Sequence, residues 1–321
     1  MKRKKIPSGL RGNGCLTVPF FTEDNKINIP EMKRHVEWLI EKNTQTIVPG
    51  SVCPGCTKEE ALQIWKLSIE AANKRATVMP FLGPRCNSTE LFIEDIKIAE
   101  DMGFDALYFS LFAATNSVGY HEHPTFLEQL IQPWIKGLEV ASLPVMLYNH
   151  AGLPWSREPN IPVSTLVELS KNFLNIAGLK TNSPIGGQFA AELHALKPLG
   201  LNVAKGLHEL EFIGGLALGL DGFISMTGHA LPEMGNGIHE AFTKGDVAKA
   251  QEIVWQMFPI LDVIGTEFPA RVEYFPFKVY LIEARGFKVG KLRPPMRPIP
   301  KEAQKVVDDT YKKLGIYMDC A

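Results

Sequence analysis

The sequence predicts a closed (β/α)8 barrel followed by a helical C-terminal extension. Three observations point there. Eight short apolar runs alternate with amphipathic segments along the chain. The runs are near-continuous apolar stretches rather than alternating ones, the pattern of parallel strands buried on both faces. A chain of 321 residues with 45% hydrophobic content can fill one large core, and barrels of this class commonly reach such lengths as a single unit.

The runs are Cys15–Phe20, Thr46–Gly50, Thr77–Leu82, Ala106–Phe109, Pro144–Tyr148, Asn175–Leu179, Asn202–Ala204 and Gly222–Ser225. Between them lie helical patterns. The first, Pro30 to Lys42, sets Met32, Val36, Leu39 and Ile40 on one face, and the second, Lys58 to Lys74, does the same with Leu62, Trp65, Ile69 and Ala72. A third spans Ser88 to Met102, with Ser88, Thr89 and Glu90 as its cap region. Thr125–Val140, Pro162–Lys171, Gly187–Lys197 and Glu209–Leu218 complete the alternation. An open doubly wound sheet would usually place a Gly-rich turn after the first strand, and no G-x-G-x-x-G follows Phe20. Beyond the eighth run only helices are expected, over Pro232–Ile264, Ala270–Arg285 and Lys301–Leu314. We therefore expect a barrel over residues 1–230 and a helical region over 231–321.

Composition narrows the function classes. The 34 basic and 35 acidic residues leave a net charge of −1, so no global field favours nucleic acid or a membrane surface. The basic run Lys2-Arg3-Lys4-Lys5 is short and lacks interleaved aromatics, which suggests a solvated tail. No apolar run reaches the roughly 18 residues that span a bilayer. The basic start leads into Ile6-Pro7-Ser8-Gly9, not an apolar leader. Five cysteines, an odd number in a large chain, fit free thiols in a reducing, cytoplasmic setting.

Catalytic groups of such barrels sit where strands end and on the loops that follow. That rule selects Gly50-Ser51-Val52, Tyr148-Asn149-His150, Lys180, Lys205-Gly206 and Ser225-Met226-Thr227-Gly228. A lysine at a strand end in a barrel mouth is partly desolvated, which disfavours the ammonium and frees the amine. A free amine attacks a ketone to form an imine. The bland alternative for Lys180 is a side chain that snorkels to water. Tyr148 ends the neighbouring strand, so its phenol could move protons there, or be a wet rim aromatic. Lys205 is the rival nucleophile.

The strand-end motifs resemble those of a known family. Pro144-Val145-Met146-Leu147-Tyr148-Asn149 with Ile176-Ala177-Gly178-Leu179-Lys180 looks like the Tyr-Asn and Gly-hydrophobic-Lys signatures of the dihydrodipicolinate synthase / N-acetylneuraminate lyase family. Gly222-Phe223-Ile224-Ser225-Met226-Thr227, Arg293-Pro294-Pro295-Met296-Arg297-Pro298 and Thr17-Val18-Pro19-Phe20 resemble further segments of it, in the same order. The resemblance implies Lys180 as Schiff-base former and Tyr148 as proton shuttle. It implies that Gly50, Ser51 and Val52 hold a 2-oxo acid carboxylate, and sets Ile224 and Ser225 at the substrate. It implies a homo-oligomer, dimer or tetramer, with no cofactor and no metal.

The departures are specific. Gly50-Ser51-Val52-Cys53-Pro54-Gly55 stands where the family usually has Gly-Thr/Ser-Thr-Gly-Glu, so Val52 leaves the hydroxyl relay to the tyrosine incomplete. Tyr-Asn-x-Pro becomes Tyr148-Asn149-His150-Ala151, and Thr181 takes a commonly acidic position. Phe112-Ala113-Ala114-Thr115-Asn116 replaces an aromatic-rich loop, and Gly152–Asn160 is enlarged. Arg157 in that loop is either a substrate-carboxylate contact, to which its fork is suited, or a solvated surface residue. The expected activity is an aldolase, lyase or synthase on pyruvate or a related 2-oxo acid, though not the lysine-pathway synthase. The alternatives are a dehydratase or decarboxylase acting through the same imine on a sugar-acid or hydroxyproline-derived substrate, and a non-catalytic 2-oxo-acid sensor. Cys53-Pro54-Gly55-Cys56 lacks the second ligand pair a zinc site needs. His121, His123 and His150 read as loop histidines bordering the mouth.

Overall fold

A computed structural model describes residues 2–50, 56–83, 88–110, 124–149, 161–207, 209–264, 273–294 and 296–316. Among the described residues there are nine parallel strands: β1 (Gly12–Leu16), β2 (Thr46–Val48), β3 (Thr77–Val78), β4 (Phe81–Leu82), β5 (Leu107–Phe109), β6 (Val145–Asn149), β7 (Ile176–Thr181), β8 (Asn202–Lys205) and β9 (Gly222–Ser225). They form one sheet in the order β3-β2-β1-β9-β8-β7-β6-β5-β4. The two ends are halves of one stretch, parted by Met79-Pro80. The Met79 N–H donates to Ile47 O at 3.1 Å, and Pro80 O accepts from the Tyr108 N–H at 3.1 Å. These two bonds close the ring. The fold is therefore the expected (β/α)8 barrel, with its third stave interrupted at a proline that has no N–H to give a ladder.

Helices α1 (Ile29–Glu41), α2 (Lys58–Ala72), α3 (Thr89–Met102), α4 (Pro124–Val140), α5 (Val163–Asn172), α6 (Gly187–Leu196) and α7 (Phe212–Ala217) follow the strands. After the barrel come α8 (Pro232–Thr243), α9 (Val247–Asp262), α10 (Tyr274–Glu283) and α11 (Lys301–Lys313). Their starts follow local chemistry. The Ser88 hydroxyl accepts from the Leu91 N–H at 3.2 Å, capping α3 as expected. Thr57 and Glu60 form a reciprocal capping box on α2.

Several boundaries differ from expectation. The first strand is Gly12–Leu16, not Cys15–Phe20, so Thr17 to Phe20 lie beyond its end. Gly14 explains the register: a Cβ there would lie 2.8 Å from Phe223 O, so only a bare backbone lets β1 approach β9. Pro232–Ile264 is two helices. Gly245 turns the chain at φ 83, and the Asp246 carboxylate caps α9 by accepting from the Lys249 N–H at 2.9 Å. The segment expected as Glu209–Leu218 opens with a 3-10 turn, Glu209–Glu211.

The core has two layers. Val48, Met79, Phe81, Ala106, Tyr108, Met146, Tyr148, Ala177, Ala204 and Ile224 fill the barrel interior. A larger outer layer, including Ile47, Phe109, Leu147, Leu179, Val203 and Phe223, packs against the helices. Ile6 and Leu10 join the inner layer and plug the barrel at the N-terminal strand ends. Ser8 confirms the level: its N–H donates to Thr77 Oγ1, and its hydroxyl meets that of Thr46 at 2.8 Å, both at strand starts.

The basic run is not a wholly solvated tail. Lys2, Lys4 and Lys5 are exposed, but Arg3 is half-buried. Its guanidinium donates to the carbonyls of Leu199, Ile176 and Ser170 at 2.8, 2.6 and 2.5 Å. These acceptors lie in the last turn of α5, at the start of β7 and in the 3-10 turn before β8. The cation fits the negative end of a helix.

Candidate active site

Lys180 reaches the barrel mouth because β7 is irregular. Ile176 faces the outer layer and Ala177 the interior. Strict alternation would then send Lys180 outward. The β6–β7 register slips after Val145↔Ile176 and resumes at Met146↔Gly178. Gly178 therefore points inward like Ala177, and a Cβ on it would lie 2.9 Å from Ile6 Cδ1 and 3.1 Å from Leu10 Cδ1. From there Leu179 faces out and Lys180 faces in. The slip re-aims the lysine, as strand irregularities near functional sites do.

Tyr148 is directly opposite Lys180 in the ladder. The Lys180 Nζ lies 4.3 Å from the centroid of the Tyr148 ring and 5.9 Å from that of Tyr108. Phe81, Tyr108 and Tyr148, on three successive staves, form an aromatic wall with centroids 4.6 Å and 5.5 Å apart along the row. Tyr148 is 6% exposed, whereas Lys180 is half-buried. An amine against ring faces has lost part of its water yet keeps an opening for a ligand.

Asn182, which the motifs do not single out, and Gly206 complete this cluster. The Asn182 Nδ2 donates to the Tyr148 hydroxyl oxygen at 2.7 Å. Asn182 is 2% exposed, and its N–H extends the ladder by donating to Asn149 O at 3.0 Å. Gly206 closes the other side: a Cβ there would lie 1.9 Å from Asn182 Oδ1 and 2.6 Å from Lys180 Cε. For Asn182 a signal is present in the sequence. Two residues beyond Lys180, a strand returns to the same face.

The other expected residues divide. Gly50 is buried beside β1, its N–H donating to Thr17 Oγ1 at 2.9 Å, and a Cβ would lie 2.0 Å from Thr17 O. Ile224 faces the interior. Ser225 faces away from it, its hydroxyl accepting from the Gly228 N–H at 2.8 Å. Ser51, Val52 and Arg157 lie outside the described residues, as do His121, His123, His150 and Cys53.

Lys205 is wholly buried on the outer side of β8. Its Nζ donates to Ser183 O at 2.7 Å and pairs with Glu211 at 2.7 Å. Burial lowers its pKa, and Glu211 works against that. Ala204, its neighbour, takes the interior position. Breaking a buried pair of this kind costs about 3–5 kcal/mol, so Lys205 is anchored away from the mouth.

Asn149 is also structural. It donates to Glu192 Oε1 at 2.7 Å behind β6, where the Ser183 hydroxyl meets the same oxygen at 3.0 Å. Glu209, in the turn after β8, is wholly buried. It accepts from the Thr227 hydroxyl, and its Oε2 has no hydrogen-bond partner among the described residues. Burial pushes its carboxyl up to about 7. Among the described residues no group of three His, Cys, Asp or Glu could hold a metal ion, and no helix is long and apolar enough to cross a membrane.

Comparison with known proteins agrees with this architecture. The sequence pattern of the dihydrodipicolinate synthetase family matches residues 12–314. A 4-hydroxy-tetrahydrodipicolinate synthase of Methanocaldococcus jannaschii is 27% identical over 94% of this chain and 97% of its own. The protein of that name from Phocaeicola vulgatus is 28% identical over 91% and 93%. A crystal structure of a dihydrodipicolinate synthase superposes with a TM-score of 0.80 at 26% identity, covering 95% of this chain and 99% of the other. The Aquifex aeolicus synthase, at 20% identity and a TM-score of 0.81, shares the fold over 96% and 99%. The chain belongs to the dihydrodipicolinate synthetase family, and with it to the enzymes of class I aldolase type, the carbon–carbon and carbon–oxygen lyases and synthases.

Proposed function

We propose that Lys180 forms the Schiff base with pyruvate or a related 2-oxo acid, and that the second substrate is not that of the lysine-pathway synthase. One observation carries the first half: a half-buried amine lies 4.3 Å from the ring of a phenol on the paired strand, inside a closed barrel. The neutral Nζ attacks the ketone carbon. The carbonyl oxygen takes up two protons and leaves as water, giving an iminium. Loss of a proton from the adjacent carbon yields an enamine, which adds to an aldehyde whose oxygen takes a proton. Tyr148 is the group placed to give and receive these protons. Gly50, whose own N–H is held by Thr17 Oγ1, leads into Ser51 and Val52, whose N–H groups are the proposed donors to the carboxylate. Ile224 supplies an apolar floor.

The second half rests on the departures at Val52, Thr181 and Phe112–Asn116. The relatives named above carry the lysine-pathway name, so the reading distinguishes this chain from them. Borohydride with pyruvate should leave one mass adduct, on Lys180, and Lys180→Ala should leave none. Absence of an adduct on the wild-type protein overturns the Schiff-base reading. Formation of 4-hydroxy-tetrahydrodipicolinate at a rate matching the relatives overturns the second half alone.

A further inference from the structure

We propose that Asn182 is a positioning residue that holds the Tyr148 phenol. The proposal rests on the Schiff-base reading for its consequence and on geometry for its substance. The Asn182 amide is clamped on both sides. Its Nδ2 donates to the Tyr148 oxygen at 2.7 Å. Its Oδ1 is buried without a hydrogen-bond partner among the described residues and abuts Gly206, where a Cβ would lie 1.9 Å away. The backbone beneath is fixed too: Asn182 N–H donates to Asn149 O at 3.0 Å, and Gly206 N–H to Thr181 O at 2.9 Å. The amide therefore has little freedom to swing off the phenol.

The chemistry of an amide differs from that of a hydroxyl. A hydroxyl both donates and accepts, so it can pass a proton along a chain. An amide N–H donates but does not give up its proton near neutral pH. Asn182 thus fixes the phenol oxygen and relays nothing. By occupying one lone pair of that oxygen, it turns the phenol's own O–H away from Asn182. A donor to the oxygen also favours the phenolate over the phenol. Both effects suit a tyrosine that must give and take a proton beside Lys180.

The test replaces the donor while keeping the shape. Asn182→Asp is nearly isosteric but presents a carboxylate where the N–H was. Two readouts are measured on the full-length protein, across pH. One is the rate of borohydride-trapped pyruvate adduct. The other is phenol ionisation by ultraviolet difference, with Tyr148→Phe subtracted to isolate Tyr148. We expect Asn182→Asp to raise the pH at which Tyr148 ionises by about one unit or more, since a donor is lost and a negative charge gained. The trapping rate should fall about tenfold at neutral pH, with its alkaline limb moved in the same direction and half-saturating pyruvate nearly unchanged. Asn182→Asp added to Tyr148→Phe should cost nothing more. Unchanged ionisation of Tyr148 in the Asp variant overturns the proposal, as does a loss of trapping that is uniform across pH. If the wild-type protein traps no pyruvate, the Schiff-base reading falls, but the ionisation measurement still decides the Asn182 link.

Discussion

Gly206→Ala puts the packing of the site to the most direct test. A methyl group at 206 would lie 1.9 Å from Asn182 Oδ1 and 2.6 Å from Lys180 Cε. Ordinary contact begins near 3.4 Å. The amide oxygen must therefore retreat by 3.4 − 1.9 = 1.5 Å, and the lysine stem by 3.4 − 2.6 = 0.8 Å. Both atoms belong to side chains, so the strands can hold while the site distorts. Overpacking of this kind costs about 1–3 kcal/mol, which a barrel of this size survives. The catalytic penalty should be larger in proportion, since a misplacement of about 1 Å can lower a rate about 100-fold. The assay is the time course of borohydride-trapped pyruvate on Lys180, read by mass, alongside denaturant unfolding. Gly187→Ala is the control, for a Cβ there meets nothing within 4 Å. That helical position should gain about 0.5–1 kcal/mol and trap at the wild-type rate. A folded Gly206→Ala protein that traps as fast as wild type would refute the arrangement of Lys180, Asn182 and Gly206 described above.

Three further outcomes follow from buried charge. Glu209 has its carboxyl raised from 4.5 to about 7 by burial, so the folded state binds a proton that the unfolded state releases across that interval. The stability this proton lends is complete below 4.5 and is lost as pH rises through 7. Glu209→Gln should therefore gain on wild type by about 3 kcal/mol between pH 4.5 and pH 8, at about 1.4 kcal/mol per unit; a flat difference in urea midpoints would count against a neutral buried carboxyl. Lys205→Met removes the partner of Glu211 and should destabilise by about 3–5 kcal/mol, yet whatever folds should still trap pyruvate on Lys180; an adduct that vanishes with folding intact would return Lys205 to the mechanism. Arg3→Ala strips a cation from four carbonyls at the barrel base and should cost about 2 kcal/mol with no change in trapping rate, measured by urea unfolding and the same adduct assay.

Much of the architecture was legible because it depends on period and length. Eight apolar runs with helical patterns between them leave few alternatives to a closed parallel ring. The rule that chemistry gathers at strand ends led to Lys180 and Tyr148, and they stand opposite one another in the ladder. What escaped was set by atoms rather than by pattern. Nothing in Cys15–Phe20 marks Gly14 as the point where β1 must lie bare against β9. The long helical pattern from Pro232 gave no weight to Gly245 followed by a capping Asp246. The basic start reads as a tail because charge counts carry no information about the four carbonyls that converge on Arg3.

Ser225 and Lys180 show why a strand-end motif is an incomplete predictor. Both end apolar runs, and both were expected to face a substrate. Alternation along β9 is regular, with Phe223 outward and Ile224 inward, so Ser225 turns outward to bind the Gly228 N–H. Along β7 the same regularity would have sent Lys180 into the helical layer beside Leu179. The register slip at Ala177-Gly178 prevents it, and the slip is tolerated because Gly178 has no side chain to collide with Ile6 and Leu10. The reach of the lysine into the mouth thus depends on a glycine that packs bare against the plug at the opposite end of the barrel. A residue's position at a strand end places it at the right height, but its phase, set by irregularities and glycines one or two residues earlier, decides whether it meets the substrate or the core.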